Sequence, residues 1–312
     1  MRAQPAIIQR HVAVQHLPDV GTDVYVNEQP LTAQPSGRAV FGGLLIAQAI
    51  SAASATVAPD LHVYSSHSTF LRPVTATARE RVVYQVDRTA DGQSYATRLV
   101  RAAQGDSGSC VYIATISFQS SKVPVANALD YGPPMPDLEG LGPLEIPEDL
   151  NRIMLAAASS PGSPLQPVSS EVEASDRRPF GFVLANKPGD CRVRSFVRSQ
   201  QPLNVKSVSV HQAALAYMSD EILLGMAIYA NPDIVGDATQ NVTMGATLNH
   251  MIHFHDSTAR VDDWLVIERT TSWGGNGRVL LHENTWDLKT GRLVMTCIQE
   301  ALIRLKDEDS KL

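Results

Sequence analysis

Hydrophobic and polar positions along this chain follow two rhythms, and the same succession of rhythms occurs twice. Over residues 42–57 apolar side chains recur at helical spacing, introduced by Val40-Phe41-Gly42-Gly43. Strand-like runs follow over 61–71, closed by Arg72-Pro73, and then over 81–89, 94–103 and 110–119. Asp91-Gly92 and Gln104-Gly105-Asp106 supply the first two hairpin turns. The second succession opens with one longer helix predicted over 208–230. There His211, Leu215, Met218 and Ile222 share a stripe with Ala214, Leu224 and Ile228 beside it. Strands are predicted over 247–255, 264–272, 278–286 and 292–305, turning at Gly274-Gly275-Asn276-Gly277 and Lys289-Thr290-Gly291.

Individual residues strengthen the repeat. His67 is followed 21 residues later by Arg88-Thr89, and His250 is followed 19 residues later by Arg269-Thr270. Gln119 and Gln299 stand near the ends of the two final strands. A helix followed by four strands, twice in order, predicts two copies of one supersecondary unit. Segments 12–17 and 23–26 read as leading strands, and 180–186 and 192–198 as strands returning the chain to the second unit. Between the units, nine of the 19 prolines fall between Pro124 and Pro167, which marks a loop-rich connector with one short helix predicted over 148–158. The expected organisation is therefore an N-terminal unit over 1–119, a connector over 120–175 and a C-terminal unit over 176–312. The fold class is α+β, each antiparallel sheet wrapping a helix.

One position breaks the pattern. Asp220 is a carboxylate between Met218 and Ile222, at the edge of the apolar stripe of the second helix. Ser219-Asp220-Glu221 could be a solvated edge; a buried, unpaired carboxylate would instead need partners or a purpose.

Composition narrows the field. The chain of 312 residues is 44% hydrophobic and 19% charged, and no apolar run approaches the roughly 18 residues of a membrane span. A net charge of −6 with scattered basic residues argues against nucleic acid as a partner. Cys110, Cys191 and Cys297 are odd in number and far apart, which suits a reducing compartment and predicts neither a disulfide framework nor a zinc site. The final Ser310-Lys311-Leu312 reads as a peroxisomal address, so the peroxisomal matrix is the expected location and its import receptor an expected partner.

The sequence resembles the acyl-CoA thioesterase II family, which includes peroxisomal members. The resemblance is densest at Val40-Phe41-Gly42-Gly43 with Gln48, at His67-Ser68-Thr69-Phe70-Leu71-Arg72-Pro73, and at Val86-Asp87-Arg88-Thr89. It continues through Val210-His211-Gln212, Ala216-Tyr217-Met218-Ser219-Asp220, Leu248-Asn249-His250 with Phe254-His255, and Cys297-Ile298-Gln299-Glu300. It implies a double hotdog fold, an acyl-CoA substrate, no cofactor and no metal. By motif it implies a catalytic set of Asp220, Thr247 and Gln299. Each type suits the chemistry: a carboxylate can take a proton from water, and hydroxyl and amide groups can orient both. Gly42 and Gly43 at a helix start would let a thioester approach free backbone N–H groups, and with His67 they complete the expected substrate-binding residues.

Three positions depart from the family pattern: Leu44 where glutamine is frequent, Asn249 where aspartate is usual, and His253 where tryptophan is frequent. They leave room for a hydrolase or acyltransferase of one secondary-metabolite pathway, and a non-catalytic acyl-CoA binder is the further alternative. A hotdog dehydratase would need a histidine at a helix start, a place only His211 approaches. Exposed sheet edges in this fold usually find partners, so a homo-oligomer is also expected.

Overall fold

The computed structural model describes residues 4–31, 39–76, 81–105, 108–123, 128–146, 174–203, 205–221, 223–236 and 240–306. The predicted 148–158 helix, Asp106 and the Ser310-Lys311-Leu312 tail lie outside them.

In the first unit the long apolar run forms α2 (Gly42–Ser54), preceded by α1 (Ile7–His11), β1 (Val14–His16) and β2 (Val24–Asn27). The leading segment predicted as one strand over 12–17 is thus a short strand, entered from a helical turn. Four strands follow: β3 (Leu61–Phe70), β4 (Val82–Asp91), β5 (Tyr95–Gln104) and β6 (Ser109–Ser120). The second unit is β7 (Ser175–Val183), β8 (Arg192–Ser199), α3 (Val208–Ser219), α4 (Gly225–Tyr229), α5 (Pro232–Val235), β9 (Val242–Phe254), β10 (Leu265–Gly275), β11 (Arg278–Asp287) and β12 (Leu293–Leu305). Asn276 and Gly277, both with positive φ, form the two-residue turn between β10 and β11.

The predicted single helix over 208–230 is in fact broken after Ser219. Ser219 Oγ donates to the Ala216 carbonyl at 2.8 Å, a back-bond that competes with helix continuation. Arg177 Nη2 reaches the Met218 carbonyl at 3.4 Å and holds Glu221 Oε2 at 3.2 Å, so the chain is tethered as it leaves the helix. Asp220 is consequently the C-cap of α3, with φ −85° and ψ −11°, rather than a mid-helix residue.

The twelve strands among the described residues form one antiparallel sheet in the order β1-β2-β4-β5-β6-β3-β9-β12-β11-β10-β8-β7. Read outward from the central β3–β9 pair, each half places its strands in the same succession. Helices α2 and α3 pack against each other on the inner face. Ile46, Ala49, Ile50 and Ala53 of α2 and Ala213, Ala214 and Ala216 of α3 are fully buried there. Each isoleucine contributes about 1.5–3 kcal/mol by leaving water. A separate, smaller cluster joins Met135, Leu138 and Ile146 of the connector to Phe196, Val266 and Trp286. Trp286 Nε1 donates to the Pro133 carbonyl at 3.0 Å, which fastens the connector to the second unit.

The ladders correct two residue matches drawn from the repeat. Thr115 pairs with His67 and Thr296 pairs with His253, so the counterpart of His67 is His253, not His250. The two rings meet edge to face across the β3–β9 seam, 5.5 Å apart. Likewise Ile116 pairs with Arg98 and Cys297 with Glu283, which places Phe118, not Gln119, opposite Gln299 in the duplicate. Arg88 and Arg269 do correspond, since each pairs with the matching β5 or β11 residue, Arg98 or Glu283.

Candidate active site

The break after Ser219 brings the end of α3 to the beginning of α2. Phe41 caps α2 without a side-chain hydrogen bond, leaving first-turn amides to be satisfied by other groups. The Gly43 amide donates to the Asp220 carboxylate. No backbone carbonyl among the described residues accepts from the Gly42 amide.

Both glycines are required by close approach. A Cβ at Gly42 would stand 2.9 Å from Asp220 Oδ2 and 3.1 Å from the Phe70 ring. One at Gly43 would stand 2.7 Å from the Tyr217 carbonyl oxygen.

Strands β9 and β12 supply the remaining groups. Gln299 Nε2 donates to Asp220 Oδ1 at 2.6 Å and to Thr247 Oγ1 at 2.7 Å. Thr247 Oγ1 donates in turn to Asp220 Oδ1 at 3.4 Å. Gln299 is fully buried, and its Oε1 has no hydrogen-bond partner among the described residues. The amide is thus fixed by its two donors while its acceptor is free for a donor arriving with substrate or water.

Asp220 retains only 9% of its surface. Burial pushes its carboxyl up to about 7, against the opposing pull of Gln299, the Gly43 amide, Thr247 and Arg269. A carboxylate with an affinity for protons near neutral pH is matched to taking a proton from water.

Behind Gln299, His250 Nε2 lies 3.3 Å from Cys297 Sγ and 3.4 Å from Ser219 Oγ. Burial lowers His250 to about 3 and raises the Cys297 thiol well above its usual value. This pair is therefore neutral packing, not a thiolate nucleophile.

The other sequence-predicted residues have distinct places. Gly42 and Gly43 join the cluster. His67 is exposed on a strand whose neighbours Ser66 and Ser68 are buried, so its side chain lies on the far face of the sheet from the cluster. Asn249 accepts from Thr69 Oγ1 and donates to Glu300, while His253 meets His67; Leu44 is core. None of the three departures falls among the Asp220 contacts. His211 is held by the Val261 amide, which donates to its Nδ1 at 3.3 Å.

Sequence reasoning passed over Phe70 and Tyr112. The rings stand 5.2 Å apart, Tyr112 hydroxyl and Ser68 Oγ are 2.6 Å apart, and Phe70 faces the Gly42 approach. In the sequence Phe70 stands out only as part of the 67–73 motif; its place beside Gly42 depends on a β3–α2 contact between separate elements.

Among the described residues the first unit does not repeat this polar cluster. The matching places in the first unit hold Ala55 at the helix cap, Leu61 opposite Ser120, and Phe118.

A sheet wrapping two antiparallel helices, with a carboxylate, hydroxyl and amide converging on a glycine pair, defines a hotdog thioesterase. Residues 30–119 match the acyl-CoA thioesterase N-terminal domain, and residues 147–303 match the acyl-CoA thioesterase C-terminal domain. The chain belongs to the acyl-CoA thioesterase family, whose members are thioester hydrolases. Acyl-coenzyme A thioesterase 8 of Mus musculus is 29% identical over 89% of this chain and 84% of its own length. A more distant relative is the peroxisomal acyl-coenzyme A thioester hydrolase 1 of Saccharomyces cerevisiae, 21% identical over 88% of each chain. The crystal structure of an acyl-CoA thioesterase II from Mycobacterium marinum matches with a TM-score of 0.72 at 26% identity, covering 96% of this chain and 99% of that one.

Proposed function

We propose that Asp220, Thr247 and Gln299 hydrolyse acyl-CoA by direct attack of water. Asp220 takes a proton as the water oxygen bonds to the thioester carbon. Thr247 and the free Gln299 Oε1 hold the water, and the Gly42 amide at the start of α2 faces the developing oxyanion. The tetrahedral intermediate then expels the thiolate of CoA, which recovers the proton from Asp220. The carbon–sulfur bond breaks, the carbon–oxygen bond remains, and free acid and CoA leave.

The observation that carries this reading is the amide of Gln299, whose two N–H groups fix Asp220 and Thr247 at 2.6 and 2.7 Å. A simple acyl-CoA binder has no need of a carboxylate poised near neutral pH. The test is CoA release from a panel of acyl-CoA thioesters of different chain length and branching, run with the wild type and Asp220→Asn. Release by the wild type alone supports the mechanism, and equal release by both overturns it. Acyl transfer to an added nucleophile in place of free acid would favour the acyltransferase alternative.

The same reading puts the enzyme in the peroxisomal matrix, on the name of the yeast relative and on the terminal Ser310-Lys311-Leu312. A fluorescent fusion that keeps this tail free should be punctate and become diffuse when the tripeptide is deleted. An unchanged distribution would refute import through that tail.

A further inference from the structure

The ladder between β3 and β9 ends early. Its last pair is Thr69 with Asn249, although β9 extends back to Val242, where β12 is its only strand partner among the described residues. The orientation of this unpaired stretch follows from β12. The Ile303 amide donates to the Gly277 carbonyl at 2.9 Å, on the β11 side, and Ile303 stands opposite Gly245. In an antiparallel ladder, the N–H and C=O of one residue point to the same side and alternate along the strand. Gly245, and Thr247 two residues on, therefore direct their peptide groups away from β12, toward the open edge. Among the described residues no backbone group bonds to them there. Gly245 is exposed and has no side chain, so what it exposes is the peptide itself.

This edge adjoins the proposed water site, because Thr247 carries its hydroxyl inward to Gln299 while its peptide faces out. An unpaired strand edge offers donors and acceptors in alternation, the pattern that extended ligands use when they add to a sheet. Beyond it, Thr243 and Met244 are exposed, and Arg304 stands across the ladder from Met244. Arg304 and Lys306 are exposed and have no carboxylate partner among the described residues, whereas most other described arginines are ion-paired.

We infer that the pantetheine arm of acyl-CoA docks as a short strand on the open edge of β9, against the peptide groups of Gly245 and Thr247. The arm is an extended chain with two amides, the nearer only two carbons from the sulfur. With the thioester beside Asp220, its first amide reaches Thr247 and its second reaches Gly245. The phosphates then emerge toward Arg304 and Lys306. The inference rests on the reading that the thioester sits at Asp220, and it assigns the CoA side of the substrate to backbone rather than to side chains.

The test uses the full chain carrying Asp220→Asn and a non-hydrolysable octyl-CoA thioether, with residue-resolved amide exchange. Binding is verified separately by calorimetry. The expected result is exchange at Gly245 and Thr247 that is fast in the free protein and slowed at least tenfold by octyl-CoA. Octyl-pantetheine should give the same protection, and adenosine 3′,5′-bisphosphate none. Bound octyl-CoA with unchanged exchange at both residues overturns the docking. So does protection already present in the free protein, which would mean that a second copy or another segment covers the edge.

A companion variant, Gly245→Pro, deletes the outward N–H without removing a bond to β12. It should lower kcat/KM about three- to tenfold for octanoyl-CoA and octanoyl-pantetheine, the loss of one hydrogen bond, and leave S-ethyl octanethioate unaffected. An equal loss on all three substrates counts against the docking. Turnover by Asp220→Asn would sink the catalytic reading. A dead variant that binds octyl-CoA without protecting Gly245 and Thr247 would sink only the docking.

Discussion

Asp220, the C-cap of α3, accepts a hydrogen bond from the amide of Gly43 in the first turn of α2. The contact sets one helix's negative end and its carboxylate against the positive end of the other. Each end alone would be awkward: a C-cap aspartate opposes its own helix dipole, and α2 lacks a side-chain cap. Together they satisfy each other, and the carboxylate is held where both hotdog units meet. The pairing gives the first unit a part in a cluster whose polar side chains come from the second.

Activity should rise with pH and level off just above neutrality. Asp220 must be ionised to accept a proton, and burial raises its pKa to about 7. Below that value kcat/KM should fall about tenfold per pH unit. Gln299 is the largest group pulling the carboxyl back down. Gln299→Leu should therefore lower the rate and also move the rising limb to higher pH. Initial rates between pH 5.5 and 9 decide this, and a flat wild-type profile would exclude Asp220 as the base.

Stability should move in the opposite sense. The Asp220 carboxyl is raised above its unfolded value of 3.8, so between about pH 4 and 7 the folded chain binds more protons than the unfolded one. The contribution is fully present below pH 4 and lost as pH climbs through 7. The loss is up to about 4 kcal/mol for a shift of this size. Asp220→Asn removes the ionisation, cuts turnover by about 10²–10⁴ and should gain stability over wild type more at pH 8 than at pH 5. Urea unfolding at the two pH values measures the difference; equal gains would mean that the carboxylate is not strained by burial.

Most strands and the duplication were legible in the sequence, because period-two and helical patterns report which face is buried, whereas the polar trio came only by motif from the resemblance to the thioesterase family. The break after Ser219 was not. Leu224 and Ile228 keep the stripe in phase across it, and beside the local Ser219 back-bond the chain is tethered there by Arg177 from a distant strand. The face presented by His67 was equally hidden. A register shift between Val63 and Ser65, and another between Glu300 and Ala301, change which residues point inward without leaving a mark on composition. For the same reason the matches of His67 to His250 and of Gln119 to Gln299 were each drawn between residues on opposite faces.

The two glycines should fail differently when given a methyl group. At Gly43 the new Cβ meets the Tyr217 carbonyl oxygen at 2.7 Å, and that backbone is fixed in α3. Gly43→Ala should cost about 1–3 kcal/mol by forcing the helices apart. At Gly42 the nearest atoms are Asp220 Oδ2 and the Phe70 ring. These side-chain atoms can shift, so Gly42→Ala should fold nearly as well as wild type while losing most of its kcat. Thermal unfolding together with steady-state kinetics separates the two, and matched losses in both variants would contradict the assignment of Gly42 to the reacting centre.

Arg269 and Glu283 form a buried pair, 2.6 Å apart, with side chains 5% and 0% exposed. Glu283 also accepts from Thr285 Oγ1 at 3.2 Å, and Arg269 helps to hold Asp220 below the value that burial alone would impose. Deleting one partner strands a charge in the core. Arg269→Met should therefore destabilise the fold by about 3–5 kcal/mol, while Arg269→Met combined with Glu283→Leu should recover most of that loss. The double variant keeps the trio but lacks the guanidinium that favours ionised Asp220. Its kcat/KM profile should accordingly rise at higher pH than the wild type, with a near-normal plateau. Restored stability with an unshifted profile would confine Arg269 to a structural role.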